Sequence, residues 1–137
     1  MTCFTAKLPG DSIHNPTEPT HFMWLQPVAR RVSVYHENLV LAVTTKALRV
    51  IEVGGHVRAP VLYLPKGDVC AELNANGKTT HCPLKGDAVS LDLLDASGQP
   101  IITDAAWTYQ APLEIAVALT ARIAFDRAHF AIEEAPL

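Results

Sequence analysis

The sequence predicts a mainly β fold, made of short antiparallel strands in one small domain, and three observations carry that prediction. Apolar and polar residues alternate over several short runs, the period at which side chains fall on opposite faces of a strand. Turn-forming residues separate these runs at close intervals. Only one segment carries a helical pattern, so one or two short helices are expected beside the sheets. At 137 residues the chain suffices for one domain with a real core, and 49% apolar against 18% charged residues excludes disorder throughout.

Residues 1–27 hold four of the ten prolines (Pro9, Pro16, Pro19 and Pro27) and read as an irregular arm. The domain proper is expected over residues 28–137. There "RVSVYH" sets Val32, Val34 and His36 against Arg31, Ser33 and Tyr35, and Glu37-Asn38 turns the chain into "LVLAV" as a hairpin. "ALRVIEV" sets Leu48, Val50 and Glu52 against Arg49, Ile51 and Val53, and its β-branched residues favour a strand. Gly54-Gly55 ends that run, and "PVLYLP" reads as its partner strand, closed by Pro65. "GDVCAEL" is expected to form a single helical turn capped by Asp68.

"AVSLDLLD", the turn Ala96-Ser97-Gly98 and "QPIITD" form the clearest hairpin, after which "AAWTY" is expected as another strand. Pro112 opens the one good helical candidate, "LEIAVALTARIAF", whose later half fits a strand equally well. "LPKGDV" and "CPLKGDAV" share letters but not flanking periodicity, so no internal duplication is read from them.

A net charge of −3 with scattered basic residues argues against a nucleic-acid surface. No stretch has the length of a membrane span, and the N-terminus lacks the charged start and apolar run of a secretory signal. Three cysteines form no disulfide framework, which points to a reducing cytoplasm. No Cys-x-x-Cys or His-x-x-x-His pair is present, so no metal or other cofactor is expected.

The candidate chemistry gathers in "TTHCPLKGDAV". His81 or Lys85 supplies a positive field that favours a Cys82 thiolate, making Cys82 a candidate nucleophile, although a buried small hydrophobe is the commoner fate of a free thiol. Adjacent residues of a strand point to opposite faces, so His81 and Cys82 would not converge there. Lys85-Gly86 suits an anion, since glycine admits the backbone and lysine adds a point charge, but the spacing is not that of a P-loop, and a solvated turn lysine beside a turn glycine is the commoner case. Glu52, on the Leu48 and Val50 face, is expected to be paired or functional if that face is buried. Trp107 and Tyr109 share one face, and Tyr63 lies near the end of another strand; these rings are core residues or the wall of a ligand site.

Taken in order, "ALRVIE", "VLYLPKGDV", "TTHCPLKGDA", "AAWTY" with Pro112, and "IAF" resemble the family called domain of unknown function 427, over roughly residues 31–134. The resemblance implies curved antiparallel sheets of the β-tent type. It marks Arg49, Glu52, Tyr63, Pro65, Asp68, Thr80, His81, Cys82, Pro83, Lys85, Gly86, Trp107 and Tyr109 as recurrent positions. Leu84 and Asp126 stand where the family usually has aromatics, which implies a smaller or more open pocket. The nucleotidyltransferase label that the family sometimes carries is not supported, since clustered carboxylates and a phosphate-holding glycine loop are both missing. The expectation is a small-molecule site with Arg49, Tyr63, Lys85, Gly86, Trp107 and Tyr109 as ligand-binding residues. The alternative is a small enzyme using Cys82, or His81 with Glu52, with Lys85 in support.

Overall fold

The structure is a computed structural model that describes residues 12–15, 17–54 and 56–137. Those residues form twelve strands in two antiparallel sheets. The larger sheet runs β1 (Ile13–Asn15), β2 (Glu18–Pro27), β5 (Leu48–Gly54), β7 (Val61–Pro65), β11 (Arg122–Phe125), β10 (Pro100–Thr108), β9 (Gly86–Leu94) and β8 (Leu73–Cys82), with β6 (His56–Val57) also paired to β5. The smaller sheet has the order β12 (Ala131–Ala135), β3 (Arg31–His36), β4 (Leu39–Thr44).

Alternation along the strands divides the core in two. Leu62 and Leu64 of β7, with Ile123 and Phe125 of β11, face the smaller sheet and pack with Val32, Val34, Leu41 and Phe130. Tyr63 and Ala124, from the same two strands, point the other way and join Met23, Leu48, Val50, Leu84 and Tyr109. The middle of the large sheet is thus covered on both faces, which is why "VLYL" and "IAF" read as apolar runs rather than alternating ones. The β3–β4 hairpin turns at Glu37, with φ of 55°. The β9–β10 hairpin turns at Ala96-Ser97-Gly98, where the Asp95 carboxylate accepts from Ser97 and Gln99 backbone N–H groups.

Four expectations need correction. The proline-rich stretch does not stay irregular: β2 pairs with β5 from Phe22 opposite Val53 to Pro27 opposite Leu48, and Met23 is wholly buried. Pro19 and Pro27 lie near the two ends of β2, where a missing backbone N–H disturbs the ladder least. Residues 1–11 and Pro16 fall outside the described residues. "AAWTY" supplies the end of β10 rather than a separate strand, because the chain runs on through a bulge marked by Asp104, φ 53°.

No α-helix forms among the described residues. The helical candidate after Pro112 becomes a 3-10 segment, Glu114–Leu119, kinked at Ala116, and Ala121 at φ 57° ends it. The following strand β11 then gains hydrogen-bonded ladders on both sides, to β7 and β10, and tertiary pairing overrides the local preference. The turn near Asp68 is a 3-10 turn at Lys66–Asp68, which Asp68 ends rather than caps; its carboxylate accepts from the Thr44 hydroxyl at 2.7 Å.

Candidate functional site

Strands β5, β7, β8, β9 and β10 turn one face toward a cavity of about 540 Å³. The alternation that buries Leu48 and Val50 also brings Glu52 to this cavity, beside Val61 and Tyr63 from β7. Lys78 and Thr80 of β8, Ala88 and Ser90 of β9, and Asp104, Ala106 and Trp107 of β10 line other parts of it, with Tyr109 just past the strand. The volume lies within the range of small-molecule sites, about 300–1,000 Å³.

Lys85 reaches the cavity because the β8–β9 turn folds inward. Leu84 is wholly buried, and the Leu113 N–H donates to the Lys85 carbonyl at 2.9 Å, tying the turn to the segment after β10. Gly86 makes this approach possible: its φ is 104°, and a Cβ there would stand 3.3 Å from the Leu113 nitrogen. Gly86 therefore shapes the turn and does not line the cavity.

Glu52 is the hub. It is 5% exposed and receives the Lys85 ammonium on one carboxylate oxygen. The other oxygen accepts from His21 Nε2 at 2.8 Å, and an Arg58 guanidinium nitrogen lies 3.8 Å away. Burial pushes the Glu52 carboxyl up, but Lys85 and His21 outweigh it and hold the carboxyl below its ordinary value. Burial likewise disfavours the Lys85 charge, yet Tyr63, Glu52 and Cys82 around it leave the ammonium above its ordinary value. Lys85 is a fixed cation here, not a free amine nucleophile.

Beyond Lys85 lie the aromatic residues. Trp107 Nε1–H donates to the Tyr63 hydroxyl oxygen at 3.1 Å, with the rings edge-on at 85°. Tyr109 lies 6.3 Å from Tyr63, ring centre to ring centre, and the Lys85 nitrogen is 5.9 Å from the Tyr109 ring centre, within cation–π range. Burial raises both phenols above their ordinary values, so both are neutral donors at physiological pH. At another part of the wall Asp104 accepts from Lys78 at 2.7 Å, Ser90 at 2.6 Å and Asn76 at 2.7 Å, which depresses its pKa strongly.

The structure thus brings Glu52, Lys85, Tyr63, Trp107 and Tyr109 together. Arg49 is not with them: it projects from the other face of β5, where its guanidinium pairs with Glu134. His81 is exposed and bonds to Asp87 at 2.7 Å, while Cys82 is half-buried against the Tyr63 cluster and does not line the cavity. The two neighbours diverge as strand geometry requires. His81 does not meet Glu52; His21 holds that place. Among the described residues, Cys82 and His81 therefore do not meet Glu52 as a nucleophile–base–orienter set.

Sequence reasoning did not find His21, Arg58, Lys78, Ser90 or Asp104. The alternation in "THFMWL" was the available signal for His21, since it sets His21 with Met23 against Phe22 and Trp24. Among the described residues no three His, Cys, Asp or Glu side chains group closely enough to hold a metal ion.

No curated protein matches the chain. A family model does, over residues 24–135, a stretch that holds the whole cavity lining and every hub residue except His21. The chain therefore belongs to the family described as a domain of unknown function (DUF427).

Proposed function

We propose that this protein is a binding module for a small molecule with an apolar body and an anionic group, held in the cavity beside Glu52 and Lys85. The observation that carries the reading is the make-up of the cavity wall. Val50, Val61, Ala88, Ala106 and the rings of Tyr63, Trp107 and Tyr109 supply apolar surface. At the Lys85 end two cations (Arg58 and Lys85) stand against the one carboxylate of Glu52, which leaves one positive charge unbalanced there, while Lys78 faces Asp104 with Asp92 beside it. Walls that are mostly apolar with a few convergent polar groups are the usual form of a small-molecule site. The free thiols, Cys70 exposed and Cys82 half-buried, fit a reducing compartment such as the cytoplasm.

The test uses Trp107 as reporter in a Trp24→Phe background. Trp24 carries a buried N–H with no partner among the described residues, so the replacement leaves no acceptor orphaned. Benzoate, phenylacetate and hexanoate should each change Trp107 emission saturably. No change with any of them up to about 10 mM, well above the dissociation constants expected of such small ligands, would refute the reading.

A further inference from the structure

Counting donors against acceptors around the cavity deepens the reading above, on which this inference rests. A lysine ammonium has three N–H donors. Among the described residues, Lys85 spends one on Glu52 and has no acceptor for the other two. The Tyr63 oxygen accepts from Trp107, and the Tyr109 hydroxyl lies close enough to interact with it. Allowing one bond between the two phenols, one phenolic O–H is still left over. The nearby carboxylates already accept from the protein: Glu52 takes Lys85 on one oxygen and His21 on the other, and Asp104 takes Lys78, Ser90 and Asn76. The Lys85 end of the cavity thus presents unmet donors beside a carboxylate whose two oxygens each already hold a protein donor.

We infer that this end recognises a carboxylate, seated with its oxygens toward Lys85 and the Tyr63–Tyr109 pair, while the ligand body lies along Val50, Val61 and Trp107. An ionised carboxylate offers acceptors only, with about four lone-pair sites on two oxygens, and so satisfies all three donors. An amine would set donors against donors. An amide offers one acceptor oxygen and brings two further donors to an end that already presents unmet ones. A phosphate monoester carries nearly two charges, more than the single unbalanced cation offsets.

The experiment is calorimetric titration of the full chain with four probes that share a phenyl body: phenylacetate, 2-phenylacetamide, 2-phenylethylamine and phenyl phosphate. Phenylacetate is expected to bind at least about tenfold more tightly than the amide, the worth of one charge-assisted hydrogen bond. The amine should not bind measurably, and phenyl phosphate should be weaker than phenylacetate. The double variant Tyr63→Phe with Tyr109→Phe keeps the ring volumes and should weaken phenylacetate by about tenfold while changing the amide less.

Equal binding of all four probes would overturn the carboxylate inference and leave the cavity reading standing. Tighter binding of phenyl phosphate or of the amine would also overturn it. No binding by any probe would remove both. Should the double variant fail to fold, the ranking of the four probes on the unaltered chain decides by itself.

Discussion

Replacing Lys85 with Met should destabilise the protein by about 3 kcal/mol, and the cause should be the charge left on Glu52. Methionine retains most of the alkyl stem, so the lost volume is small. Removing one partner of a buried ion pair typically costs about 3–5 kcal/mol, since the remaining charge has lost its counter-ion away from water. Glu52, at 5% exposure, is such a charge. It keeps the His21 bond at 2.8 Å and Arg58 at 3.8 Å, which sets the expected cost at the lower end of that range. For a chain of this size the loss corresponds to a fall in Tm of roughly 10 °C.

The pH dependence follows from the directions of the two shifts. Glu52 titrates below its ordinary 4.5 in the folded protein, so its contribution is present above that value and is lost as pH falls through the folded one. Lys85 titrates above its ordinary 10.5, so its contribution is present below that value and is lost as pH rises through the folded one. The pair therefore stabilises the native state across the whole neutral range. In the variant, burial of Glu52 is opposed by less, its carboxyl moves up, and the deficit should shrink between about pH 7 and about pH 4. Urea unfolding followed by tryptophan fluorescence measures this for Lys85→Met, Glu52→Gln and the double variant. A coupling of about 2 kcal/mol is expected between the two positions. A cost below about 1 kcal/mol for Lys85→Met, or single effects that simply add, would refute the reasoning.

Three other outcomes are expected. Gly54→Ala should cost about 1–3 kcal/mol, because a Cβ at that position would come within 2.6 Å of the His21 ring; in a His21→Ala background most of the loss should vanish, and urea melts of the four proteins check this. Deleting residues 18–27 should abolish soluble, cooperatively folding protein, since the deletion removes Met23 from the core, the ladder on β5 and the His21 bond to Glu52; a sharp thermal transition in the deleted chain would contradict the structure. With Cys3 replaced, Cys70 should react with a thiol reagent at least about tenfold faster than Cys82, which should label fully only in denaturant, because Cys70 is exposed and Cys82 packs against the Tyr63 cluster; equal native rates would place Cys82 at the surface.

Strands with one buried face were legible in the sequence because burial imposes the period of two directly. β5 and much of β9 fall in that class, and the same period put Glu52 on the buried face of β5 and Arg49 on the other; β3 and β4 bury adjacent residues as well, and their alternation in sequence marked them all the same. β2 was hidden by its prolines, which act as breakers within a strand but are tolerated near its ends. The segment after Pro112 misled in the opposite direction: its apolar spacing suits a helix, and only the free ladder positions of β7 and β10 decide for a strand. The site was half legible for a related reason. Glu52 and Lys85 are thirty-three residues apart, and His21 and Glu52 thirty-one; no local spacing encodes those meetings, which depend on the order of strands in the sheet. His21 also lies just before the stretch that matches the family, so the resemblance had no position to offer for it.

The most direct test of the central claim is an amide and indole NMR titration of the isotope-labelled full chain with phenylacetate. Saturable shifts should concentrate at the Trp107 indole N–H and at the amides of Val50, Glu52, Val61, Tyr63 and Lys85, the residues that surround the cavity. In the Tyr63→Phe, Tyr109→Phe double variant the same shifts should need about tenfold more phenylacetate to saturate. Shifts that do not saturate, or that cluster on the smaller sheet around β3 and β4 while the cavity residues stay unmoved, would contradict the account.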